Sequence, residues 1–106
     1  MSVTVYANYS EEKILESIDK GLDVFGTSVK SVVYYRFKTI SNLEREDIAR
    51  KPEQFSECLR SFFGQRAFNV EAAIVESLLE TFHLTDVRQS DSATRAIVEA
   101  RKLVRS

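Results

Sequence analysis

The stretch Ala67-Phe68-Asn69-Val70-Glu71-Ala72-Ala73-Ile74-Val75-Glu76-Ser77-Leu78-Leu79-Glu80-Thr81-Phe82 decides the architecture. Placed at about 100° per residue, Ala67, Phe68, Val70, Ala72, Ile74, Val75, Leu78, Leu79 and Phe82 cover an arc of roughly 200°. A surface helix needs only about half that arc. The spacing predicts a helix from about Arg66 to His83 that lies at the centre of the molecule, with several others packed on it.

Upstream, Pro52 fits the first position of a helix running to Phe63, because its missing N–H is not needed there. Phe55, Cys58, Leu59, Phe62 and Phe63 line one side of this helix, and Gly64 ends it. Further upstream, Val29, Val32, Val33, Phe37 and Ile40 form a stripe on a helix from about Ser28 to Ile40, with Thr27 as its cap. This run is rich in β-branched and aromatic residues, so a strand competes. Its spacing fits a helix better than an alternating strand. The first helix is expected from Glu11 to Phe25. Ser10 is its cap, Ile14, Leu15, Ile18, Leu22 and Phe25 share a face, and Gly26 takes the left-handed position that ends it. Glu44 to Lys51 is expected to form a short helical turn anchored by Leu43 and Ile48.

Downstream, Thr85 to Ser90 reads as a polar linker. A last helix from about Ser92 to Val104 carries Ala93, Ala96, Ile97, Ala100, Leu103 and Val104 on a narrow stripe. Arg101, Lys102 and Arg105 suit the negative end of its dipole. The fold class is therefore all-α, a compact bundle of four main helices plus a C-terminal helix. Residues 1–9 are read as an N-terminal arm, with strand-like alternation over Val3 to Tyr6. Residues 10–106 are read as a single helical domain.

Composition agrees with this reading. The 106 residues hold three glycines and one proline, too few turn formers for a sandwich or barrel. One cysteine, Cys58, and one histidine, His83, make neither a disulfide nor a zinc site. No apolar run approaches the roughly 18–20 residues of a membrane span. The N-terminus lacks the basic and apolar regions of a signal peptide, so a cytoplasmic location is expected. With 15 basic and 16 acidic residues, the chain carries a net charge of −1 and exerts little electrostatic pull on nucleic acid.

Two charges fall on apolar faces. Arg36 projects into the stripe of the second helix, and Glu71 projects between Ala67, Val75, Leu78 and Phe82. A charge placed there is costly unless it finds water or a partner. One reading pairs Arg36 with Glu71 as a buried ion pair that sets helix register. The competing reading lets Arg36 snorkel to solvent and leaves Glu71 at the edge of a helix start. A third gives Arg36 an anionic ligand.

Tyr34 and Tyr35 lie at the margins of their helix's stripe, where aromatic rings serve interfaces. Together with Phe68 and Val98 they are the expected contact residues. Cys58 reads as an inert core residue and His83 as a cation in the last turn of its helix. The Phe55–Leu79 segment has the outline of a helix-turn-helix. However, Arg60 stands where that motif takes a small residue, and Glu71, Glu76 and Glu80 would repel phosphate. No nucleophile elbow, zinc signature, dinucleotide fingerprint or spaced carboxylate pair is present. No cofactor is expected.

The residues Val33-Tyr34-Tyr35, Glu46-Asp47-Ile48 with Pro52-Glu53-Gln54-Phe55, Leu59-Arg60-Ser61-Phe62-Phe63-Gly64 and Glu71-Ala72-Ala73-Ile74-Val75 follow a recognisable cadence. It resembles that of a small, all-helical family of uncharacterised, largely archaeal proteins. The similarity covers Val29 to Leu79. It implies a helical fold and supplies no active site. The functional expectation is a non-enzymatic interaction or regulatory module that self-associates or binds a protein partner. The alternatives are a nucleic-acid-binding transcriptional regulator or a sensor of small anionic ligands.

Overall fold

The structure, a computed structural model, describes residues 9–104. It is all-α: among the described residues there are five α-helices, two short 3₁₀ turns and no strand. The helices are α1 (Glu11–Asp23), α2 (Thr27–Ser41), α3 (Pro52–Phe63), α4 (Ala67–Phe82) and α5 (Ala93–Lys102). The arm expected at residues 1–9 lies almost wholly outside the described residues. Tyr9, at its end, stacks on Phe82 with ring centroids 4.9 Å apart.

Local chemistry explains each boundary. Ser10 caps α1 by accepting the Lys13 N–H at 3.2 Å, with Glu11 and Glu12 in the first turn. α1 ends at Asp23, short of the expected Phe25. Phe25 N–H donates to Leu22 O and Gly26 N–H to Asp23 O, both at 3.0 Å, so the chain tightens into a turn. Gly26 (φ +108°) takes the N-cap position of α2 and Thr27 becomes the first helical residue rather than the cap. The competing strand does not form. α2 is helical throughout and closes with Asn42 in the left-handed region, its N–H on Lys38 O. Only Arg45–Asp47 of the expected Glu44–Lys51 turn is a 3₁₀ helix, entered by Glu44 N–H donating to Asp47 Oδ2 at 2.8 Å. Pro52 opens α3 as expected.

α4 occupies the centre and packs against α1, α3 and α5. Its core contributions are Ala67, Val70, Ile74, Val75, Leu78 and Phe82, all buried. Phe68 is 67% exposed, so the observed arc is narrower than the expected one. α1 adds Ile14, Leu15, Ile18 and Leu22, and α5 adds Ala93, Ala96, Ile97 and Ala100. The small side chains of α5 let it sit close to its neighbours within the same chain.

α1 and α4 approach each other backbone to backbone at Gly21. A Cβ placed on Gly21 would stand 2.8 Å from Ile74 Cα and 3.0 Å from Ala73 O. Gly21 therefore permits the crossing of α1 over α4. Beside it, Ser17 Oγ donates to Thr81 Oγ1 at 2.9 Å.

α2 departs furthest from expectation. Of the five stripe residues only Val33 and Phe37 are buried. Phe37 meets Phe55 of α3 edge-on, at 5.4 Å between ring centroids. Val29 is half-buried, while Val32 and Ile40 are 41% and 53% exposed. The core has room for one edge of α2 and leaves the other in solvent.

Candidate functional site

Glu71 is buried, but Arg36 is not its partner. The Glu71 carboxylate reaches the start of α5, where Oε1 accepts the backbone N–H of Ala93 at 2.9 Å. Oε2 lies 3.4 Å from Arg60 Nε on α3. The expected Arg36–Glu71 pair is thus corrected to a carboxylate that caps one helix and leans on the cation of another. The physical reason is that the first N–H groups of α5 have no partner within their own helix and carry its positive dipole end. Ser92 meets a second of these needs by accepting the Arg95 N–H at 3.1 Å. Arg60, the residue that spoiled the helix-turn-helix outline, has this electrostatic task instead.

Arg36 is exposed and lies over the ring of Phe62, 5.5 Å from its centroid. That is cation–π distance. The guanidinium covers part of a side chain that is still 38% exposed. Around it stand Val32 and Ile40, each four residues away on α2, with Tyr35 (68% exposed) alongside. Four exposed apolar or aromatic side chains thus lie near one cation, and Phe62 is in contact with it.

The other expected contact residues separate. Tyr34 turns inward: its hydroxyl donates to Asp19 Oδ1 of α1. Arg45 grips the same Asp19 through Nε and Nη2, at 3.1 and 2.7 Å, and reaches Glu12 Oε2 at 3.2 Å. This network joins α1, α2 and the 3₁₀ turn. Burial first, then the hydrogen bond and charge of Asp19, push the Tyr34 phenol well above its ordinary value. The Asp19 hydrogen bonds hold Arg45 more firmly protonated. Tyr34 therefore ties α2 to α1 through Asp19.

Phe68 projects from α4 beside a groove of about 340 Å³ that is also lined by Ala72, Gln89 and Ser92. Val98 lines a different groove of about 660 Å³, with Glu11, Arg50 and Arg101. There Glu11 Oε2 sits 3.0 Å from Arg101 Nη2 and 3.5 Å from Arg50 Nε. Tyr35, Phe68 and Val98 thus stand on three helices. Only Tyr35 belongs to the surface centred on Arg36. Phe62 and Ile40 were missed as exposed residues because both lie on apolar stripes. Helical spacing shows that a face is apolar, but it cannot show that the face lacks a covering neighbour.

Cys58 is buried on α3, and burial raises its thiol above the usual range against the pull of nearby Arg36. A protonated, buried thiol is a poor nucleophile. His83 is not in the last turn of α4. It forms the left-handed cap (φ +52°), its backbone N–H on Leu79 O at 3.0 Å. Among the described residues no three His, Cys, Asp or Glu side chains converge as metal ligands. No described helix is long and apolar enough to cross a membrane.

No family model, curated protein or solved structure matches this chain.

Proposed function

We propose that the chain is a non-enzymatic helical interaction module that self-associates, with the exposed edge of α2 and the end of α3 as its working surface. One observation carries this reading. Val32, Tyr35, Ile40 and Phe62 are all more than a third exposed although the core beside them is complete. Contiguous apolar surface on a small domain marks a contact site. Tyrosine, phenylalanine and arginine are the side chains enriched at such sites.

The nucleic-acid alternative has less support. The outward side of α4, which would have to approach phosphate, carries Glu76 and Glu80 and no cation. The anion-sensor alternative needs Arg36 at the bottom of a pocket, whereas Arg36 lies on the surface against a ring.

Light scattering over a wide concentration range tests the proposal. The expected result is a mass above that of one chain, returning to the monomer in Val32→Glu and Phe62→Ser. A monomer at every concentration would remove self-association from the proposal.

A further inference from the structure

The charges on α2 and α4 divide completely by sign. α2 holds Lys30, Arg36 and Lys38 and no acid, whereas α4 holds Glu71, Glu76 and Glu80 and neither lysine nor arginine. The two helices scarcely meet within one chain, so they do not neutralise each other. Most of these charges are answered by other elements. Lys30 lies 3.1 Å from Asp23, and Lys38 pairs with Glu44. Glu71 lies 3.4 Å from Arg60 and Glu80 lies 3.8 Å from Lys20. One charge on each helix remains. Among the described residues Arg36 has no acid and Glu76 has no cation. Glu76 accepts only the Gln89 amide, at 3.3 Å.

Both residues stand on rows spaced by four, with Arg36 at the centre of its row and Glu76 at the end of its own. On α2 the row is Val32, Arg36 and Ile40. On α4 it is Phe68, Ala72 and Glu76, with Phe68 exposed, Ala72 half-buried and Glu76 exposed. Each row advances by four residues, about 6 Å per step, and such rows pack ridge into groove when two helices cross. A row with a small residue at its centre lets a partner helix approach. The groove beside Phe68 and Ala72 gives an apolar side chain from that partner a place to enter.

We infer that two copies associate by laying the α2 row of one on the α4 row of the other, so that Arg36 of each copy meets Glu76 of the second. This rests on the self-association proposed above and specifies how it is built. A two-fold dimer is self-complementary: if residue i contacts j, then j contacts i, so the Arg36–Glu76 pair occurs twice. Pairing α2 with α2 is disfavoured, because Arg36 would face Arg36 with no acid on either helix. Like charges at a contact select against that register. Val32 and Ile40 flank the charge on α2, while on α4 Ala72 lies one step and Phe68 two steps from Glu76.

Charge exchange, read by sedimentation and by light scattering, tests the inference. Arg36→Glu alone and Glu76→Arg alone are each expected to weaken dimerisation about tenfold or more. The double variant Arg36→Glu/Glu76→Arg is expected to recover wild-type association to within about threefold. An equimolar mixture of the two single variants should form a mixed dimer. Both positions are exposed, so unchanged helical circular dichroism is expected, with Arg36→Gln and Glu76→Gln as substitutes for a variant that misfolds. Wild-type association in both single variants, or no recovery in the double variant, would overturn the Arg36–Glu76 contact while leaving self-association standing. A monomeric wild type would overturn both.

Discussion

Glu71 shows how a residue's surroundings decide its role. Its carboxylate is buried, accepts the Ala93 N–H, and has Arg60 at 3.4 Å, with more than half of the Arg60 side chain in solvent. The hydrogen bond should outweigh the ion pair, because an exposed cation is screened whereas a buried N–H without an acceptor is costly. Glu71→Ala should therefore lower stability by about 1–3 kcal/mol in chemical denaturation. Glu71→Gln, which keeps an acceptor oxygen, should cost under about 1 kcal/mol, and so should Arg60→Ala. Equal losses in Glu71→Ala and Glu71→Gln would show that charge rather than hydrogen bonding carries the contact. Angular position identified Glu71 as inward-facing, but position on one helix does not reveal what waits opposite. The partner was a backbone donor, which every residue but proline has. The legible signal was Ser92, whose capping role announces unmet N–H groups at the start of the next helix.

Tyr34 carries the pH dependence at this scale. Its folded pKa is raised above the ordinary value of 10.0, so the protonated phenol is the form the fold stabilises. That contribution is complete below about pH 10 and is lost as pH rises above it toward the folded value. The wild type should show a steeper alkaline fall in stability than Tyr34→Phe, measured by denaturation at stepped pH. Parallel curves would mean that neither burial nor the Asp19 contact distinguishes the two phenol states.

At the scale of elements, α1 and α4 owe their crossing to Gly21. A methyl group there would overlap Ile74 Cα, and a backbone atom cannot swing aside as a side-chain tip can. Gly21→Ala should cost about 1–3 kcal/mol despite alanine's better helix propensity, which alone would favour it by about 1 kcal/mol. A thermal melt unchanged or raised by the substitution would refute the close approach. α2 teaches the complementary lesson. Five apolar residues at helical spacing promised a fully buried stripe, yet only Val33 and Phe37 are buried, with Val29 packed in part against the core. Amphipathic spacing reports what a helix would bury if it could. How much it does bury depends on how many helices surround it, and that is a property of the assembled bundle.

For the molecule as a whole, the helical class and the central place of α4 were readable because they rest on repeated local evidence. Nine apolar positions on one segment point the same way, and Ser10, Gly26, Pro52 and Gly64 punctuate the rest. The candidate surface was readable only at Tyr35. Tyr34 turns toward Asp19, Val98 faces another groove, and Val32, Ile40 and Phe62 sit on stripes whose spacing predicts burial. These assignments depend on which helices become neighbours, and no single stripe encodes that. The sign separation between α2 and α4 was present in the residues, but it gains meaning only once the fold keeps those helices apart.

The Gly21 contact also limits how this molecule can deform. Where two helices touch through side chains, rotamer changes allow one to slide along the other. Where backbone rests on backbone, sliding would first require the rods to separate. At this crossing α1 and α4 resist sliding, and the outer side of α4, with Phe68 and Glu76, is tied to α1. If two copies associate through this row as proposed, the row meets the second chain already aligned, and little ordering remains to be done at encounter.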